Sequence, residues 1–162
     1  MGRKWNPEKA ALGRVAETLV EQLFIELGWE VYRYGMENAI PGFTSVLRSI
    51  EKRAAVHKKI SKMPDFVVHH EEKGTQMIEV KYRTSGEYKF EKGYEYYNPL
   101  FIVFSKRFIK CIPHDELKDS QVDDSYQKPY LLANRKEFNF SEDDRAKILE
   151  YCMVAVKFFE PF

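Results

Sequence analysis

Two short apolar runs, Met-Pro-Asp-Phe-Val-Val (63–68) and Met-Ile-Glu-Val-Lys-Tyr-Arg (77–83), constrain this chain more than any other feature. Each has the β-branched and aromatic content of a strand, and each carries charge where a strand interior is normally apolar. Between them Glu71, Glu72, Lys73, Gly74 and Thr75 form a polar, glycine-containing turn. The pair therefore predicts a β-hairpin, with strands over 65–70 and 76–82. Pro64 stands just before the first strand, where a missing N–H is tolerated. Side chains two apart on a strand share a face, so Glu79 and Lys81 point one way and Ile78, Val80 and Tyr82 the other.

The surrounding chain supplies the other layers. Asn6, Pro7 and Glu8 read as N-cap, first helical residue and first-turn acid. Apolar residues at Leu12, Val15, Ala16, Leu19, Leu23 and Leu27 then follow helical spacing, and Gly28 closes the helix. Residues 29–34 alternate as a strand, Pro41-Gly42 marks a turn, and 44–62 reads as a second helix. Residues 100–104 are continuously apolar and predict a buried strand. A further strand is expected over 107–113, paired through a turn at Ser105-Lys106. Residues 114–129 are acidic and loop-like. Ser141-Glu142-Asp143-Asp144 caps a last helix reaching to about Phe159, with Ile148, Leu149, Cys152, Val156 and Phe159 as its stripe. The expectation is an α/β fold, a mixed sheet flanked by helices in one domain spanning 1–162.

A buried charge must be paired or metal-bound to be tolerated. Phosphodiester cleavage offers a use for this set. Asp65 and Glu79 can hold Mg²⁺ (or Mn²⁺), hard cations that take oxygen ligands and keep several waters. Lys81 beside them can orient the attacking water and offset charge on the phosphorane. At these residues the chain resembles the PD-(D/E)xK nuclease superfamily, which includes many restriction endonucleases and Holliday junction resolvases. The resemblance covers roughly the first hundred residues. It implies a restriction-endonuclease-like core, a magnesium-dependent endonuclease acting on DNA, Asp65 and Glu79 as metal ligands, and the Val80 carbonyl as a third. It also implies that Glu17, in Gly13-Arg-Val-Ala-Glu17, adds a carboxylate from the first helix. By helical geometry Glu17 lies about 120° from the apolar stripe, Glu21 farther out and solvated, and Glu26 at the opposite edge.

Six basic residues, Arg48, Lys52, Arg53, Lys58, Lys59 and Lys62, stand against Glu51 alone in the expected second helix. With Arg83 they are the candidate phosphate contacts, since the overall net charge of +1 leaves no room for a uniformly basic surface. Residues 84–99 contain Gly86, Gly93 and five Tyr or Phe residues, a poor helix former. Their aromatics are expected chiefly in packing, with stacking on unpaired bases the alternative. The four histidines are expected on the surface or in the hairpin. Cys111 and Cys152 match no metal spacing and predict a reducing, cytoplasmic setting. No apolar run approaches the ~20 residues that span a bilayer. The expected partner is DNA and not a membrane, with a homodimer left open. The competing functions are a non-catalytic nucleic-acid-binding module of the same fold and an interaction protein with a chance motif.

Overall fold

A computed structural model describes residues 6–35, 59 and 61–162. Helix α1 (Pro7–Glu26) starts as its sequence dictates, with the Asn6 side chain accepting from the Lys9 N–H at 3.2 Å. It ends in paired bonds, Gly28 N–H to the Ile25 carbonyl and Trp29 N–H to the Phe24 carbonyl. That closure needs a left-handed residue at position 28, and Gly28 adopts φ +82. The chain then turns directly into β1 (Glu30–Arg33), a mostly exposed edge strand protected by its charged side chains.

The sheet continues through β2 (Phe66–His70), β3 (Gly74–Tyr82), β4 (Leu100–Phe104) and β5 (Ile109–Pro113). Its spatial order is β1-β2-β3-β4-β5. Only β3 and β4 run parallel; the other neighbours are antiparallel. The fifth strand begins at Ile109 and not at 107. Arg107 and Phe108 are held in the preceding turn, both donating backbone N–H groups to Ser105 Oγ. Helix α2 (Glu142–Phe159) carries the expected cap, in which Ser141 and Asp144 each satisfy the other's backbone N–H. Among the described residues the structure is thus an α/β fold whose five-stranded mixed sheet is flanked by the helices α1 and α2.

Two cores lie on opposite faces of the sheet. On one, α1 and α2 pack Leu12, Ala16, Val20, Leu23, Phe24, Ile148, Ala155 and Phe159 against Phe66, Val68, Ile78, Val80, Ile102 and Phe104. On the other, Phe101, Val103 and Ile112 meet Tyr88, Tyr94, Leu117 and Val122. A parallel β3–β4 pair requires a crossover, and 83–99 provides it without a helix, through turns and a bridge between Tyr88 and Val122. Its aromatic residues replace the apolar stripe that a helix would bring. Lys110 is buried here and donates its ammonium to the Asp123 and Ser125 carbonyls and to Gln127 Oε1. Three acceptors match its three protons, and they tie the acidic 114–129 region to the sheet.

Candidate active site

Register brings the two carboxylates together. β2 and β3 pair as far as Phe66↔Ile78. One step further sets Asp65 across from Glu79, where Cβ atoms of directly opposed residues stand about 4.5–5.5 Å apart. At that point the ladder gives way to a side chain: Asp65 Oδ2 accepts the Val80 N–H at 2.7 Å. The Asp65 carbonyl in turn accepts from Tyr34 and Gly35, at 2.9 and 3.3 Å. Asp65 therefore stands just before β2 and is held through both its carboxylate and its carbonyl.

Glu79 is 5% exposed and lies opposite Phe101 on the face away from the helices. Its Oε1 accepts from Lys81 Nζ and from the Tyr94 hydroxyl, the latter at 3.0 Å. Its Oε2 is buried without a hydrogen-bond partner. Two donors on one oxygen orient the carboxylate and leave the other oxygen bare. Burial pushes the Asp65 carboxyl up to about 7, and the neighbouring Glu79 charge adds to the rise. The Val80 N–H and Lys81 pull it down, while Glu17 raises it further.

A second ring of charge surrounds this pair. Lys62 reaches Glu91 at 3.3 Å and lies 4.5 Å from the Tyr94 ring centre. Its stem passes Gly93, where an added Cβ would stand 3.2 Å from Lys62 Cγ, and φ there is +105. Only glycine accommodates both the turn and that approach. Arg83 joins Glu91 at 3.9 Å and lies over the Tyr88 ring. The Tyr88 hydroxyl donates to Glu91 at 3.2 Å. Burial raises the Glu91 carboxyl, but Lys62, Lys81 and Tyr88 together hold it below the ordinary range. Burial raises the hydroxyls of Tyr88 and Tyr94 strongly, so both remain neutral donors.

Asp65, Glu79, Lys81 and Arg83 thus share one neighbourhood, and Val80 contributes its N–H to it. Glu17 lies on the helix side of the sheet, 4.0 Å from Arg33, and reaches Asp65 as a like charge. Glu21, expected to be solvated, is instead held by both the Nε and the Nη2 of Arg33. Helical geometry sets it on the polar face, but the edge strand β1 runs beside that face. Glu26 pairs with Lys147 and accepts from the Tyr151 hydroxyl. Arg48, Lys52, Arg53 and Lys58 fall outside the described residues. Lys59 is exposed, over the Tyr96 ring, whereas Lys62 belongs to the site network and not to a solvated face.

His69 and His70 lie in the hairpin as expected, but His114 does not lie on the surface. It is 1% exposed, stacked on Phe90, with its Nε2 at 2.8 Å from the Glu91 carbonyl. The acidic residues that follow it hide this in the sequence. Tyr94 and Glu91 belong to the site without any motif to mark them. Their one sequence signal is the Gly93-Tyr94 pair inside a charged, aromatic stretch. Among the described residues no three His, Cys, Asp or Glu side chains form a group that could hold a metal. No helix among them is long and apolar enough to cross a membrane. No protein-family model, curated protein or solved structure matches this chain.

Proposed function

We propose that this chain is a metal-dependent nuclease with a restriction-endonuclease-like core, cutting DNA phosphodiester bonds at Asp65, Glu79 and Lys81. The observation that carries the proposal is Glu79 Oε2, a buried carboxylate oxygen with no partner, next to a second partly buried carboxylate. Leaving such an oxygen bare is unfavourable, and a hard divalent cation removes the penalty. Magnesium is commonly held by one or two carboxylates plus water and phosphate oxygens, so a two-carboxylate set fits it.

Asp65 and Glu79 would hold Mg²⁺ or Mn²⁺, which when bound polarises a phosphate oxygen and acidifies a water. The remaining work belongs to the chain. Tyr94 and Lys81 fix the Glu79 carboxylate through one oxygen, which presents the other. Lys81 sits on the same strand face as Glu79 and supplies positive charge where the phosphate gains negative charge. The Val80 N–H holds the Asp65 carboxylate in place beside them. A phosphate entering the site is drawn in by Lys62, Lys81 and Arg83.

The test is direct. Labelled linear, branched and single-stranded DNA should be cut in Mg²⁺ or Mn²⁺ and left intact in EDTA. Intact DNA under every condition, despite binding, would support the second reading, a non-catalytic binding module. The closed ion pairs Lys81–Glu79 and Lys62–Glu91 are what favour that alternative.

A further inference from the structure

The crossover turn that carries Tyr94 has an outward half. Tyr94 is buried with its hydroxyl on Glu79, whereas Tyr97 is half-buried and Tyr96 is 70% exposed. The rings of Tyr96 and Tyr97 meet edge to face at 4.8 Å, and Tyr97 meets Tyr34 in the same way at 6.4 Å. Lys59 places its ammonium 4.7 Å from the centre of the Tyr96 ring. Among the described residues no carboxylate pairs with Lys59.

Backbone bonds tie this cluster to both carboxylates of the site. The Tyr34 N–H donates to the Asp65 carbonyl at 2.9 Å, and the Tyr97 and Asn98 N–H groups both donate to the Tyr94 carbonyl, at 3.1 and 2.7 Å. Asn98 closes that turn at φ +43, a left-handed conformation that asparagine adopts more readily than most residues. The rings therefore stand on a fixed backbone beside Asp65 and Glu79. Packing accounts for Tyr88 and Tyr94, which are buried, but Tyr96 buries too little surface to add much to the core. An open aromatic ring next to a cation is what binds a nucleic-acid strand, with a base stacked on the ring and a phosphate on the ammonium. Bases inside a duplex are stacked on both sides by their neighbours, so only an unpaired or terminal base has a face to offer.

We infer that Tyr34, Tyr96 and Tyr97, with Lys59, form a stacking platform for an unpaired nucleotide of the substrate strand. The substrate is then DNA that is single-stranded at the cut, as in a flap, a branch or a free strand, and not continuous duplex. The inference rests on the nuclease reading and adds a substrate class to it. Tyr96 supplies a clean test, because a side chain this exposed can be truncated with little loss of packing.

The experiment measures binding by anisotropy in EDTA across a salt series, using a fluorescein-labelled single strand and a blunt duplex of the same sequence. A set of single strands carrying 2-aminopurine at successive positions reports stacking directly, because its fluorescence is quenched when it stacks. Cleavage of single-stranded and flap DNA in Mg²⁺ or Mn²⁺ is measured alongside. The full chain is compared with Tyr96→Ala, Tyr96→Phe and Lys59→Gln, each checked for an unchanged melting midpoint. The wild type should bind the single strand more tightly than the duplex and quench 2-aminopurine at particular positions. Tyr96→Ala should weaken single-strand binding at least about fivefold and lose the quenching, with duplex affinity unchanged, and Tyr96→Phe should retain both. Lys59→Gln should flatten the log–log salt slope by about 0.7 for a phosphate lost on a single strand. If the wild type binds and cuts DNA but prefers the blunt duplex, or Tyr96→Ala holds the single strand as tightly as the wild type, the platform is overturned and the nuclease reading survives. If the single strand binds through Tyr96 and nothing is cut, the platform holds and the catalytic reading fails. If the wild type neither binds nor cuts, both fall.

Discussion

The two faces of the sheet are built from different material. Beneath α1 and α2 the contacts are mostly aliphatic and phenyl, with Trp29 and Tyr82 among them, and both buried charged residues on the strands, Glu79 and Lys110, point the other way. Beneath the irregular crossover the core is smaller and tyrosine-rich, and Glu79, Lys81 and His114 sit within or beside it. Tyrosine explains how that face tolerates charge. Its ring packs as a hydrophobe while its hydroxyl offers a neutral donor, as Tyr94 does to Glu79 and Tyr88 to Glu91. One face supplies most of the packing and the other carries the proposed site, and substitutions should separate them.

The largest effect should come from the helix face. Phe24 is fully buried between Trp29, Phe138 and Phe140, so Phe24→Ala should lower unfolding free energy by about 3–5 kcal/mol. Denaturant titration reads this directly, and a loss under about 1 kcal/mol would show that the helix face is not the main source of stability. Next comes Lys81→Ala, which should reduce kcat about 10²–10³-fold, as removal of a positioned transition-state donor does elsewhere. Its melting midpoint should fall as well, because the buried Glu79 carboxylate loses its ammonium partner, so turnover is compared at a temperature where both proteins are folded. Wild-type turnover in this variant would remove Lys81 from the chemistry.

How far these contrasts are legible in the sequence depends on the kind of signal. Helix caps, hairpin and buried strands carry local signatures, and Asn6, Gly28, Ser141 and the 100–104 run lie where those signatures point. Strand alternation places Glu79 and Lys81 on one face, and the hairpin register brings Asp65 beside them. No such rule finds Tyr94, Glu91 and Lys62, because they converge through an irregular crossover that has no period to count. Lys62 belongs by sequence to a basic run, yet its stem passes Gly93 and its ammonium meets Glu91 and the Tyr94 ring. His114 precedes Asp115 and Glu116, whose charge suggests solvent, yet the strand before it carries it into the aromatic core.

The third contrast is in pH. The Asp65 carboxyl is raised in the folded protein, so its contribution to stability is fully present below the unfolded value near 3.8 and is lost as pH climbs toward about 7. Without metal, Asp65→Asn should therefore gain in melting midpoint over the wild type between about pH 4 and pH 7, by a few degrees. An offset that is constant with pH would mean that Asp65 is not strained by its surroundings. The smallest effect belongs to Tyr94→Phe, which removes one of two donors to Glu79 Oε1. Losing a single hydrogen bond of about 1 kcal/mol should slow cleavage only about fivefold, with folding retained.

The central claim is that the bare Glu79 oxygen and the Asp65 carboxylate form a cation site, and Mn²⁺ titration into the metal-free protein tests it most directly. Calorimetry or electron paramagnetic resonance should show a bound ion in the wild type, more weakly held as pH falls below about 7, because Asp65 must shed its proton first. Glu79→Gln and Asp65→Asn should each weaken that binding at least about tenfold, and a wild type that binds no Mn²⁺, or variants that bind it as tightly as the wild type, would contradict the account.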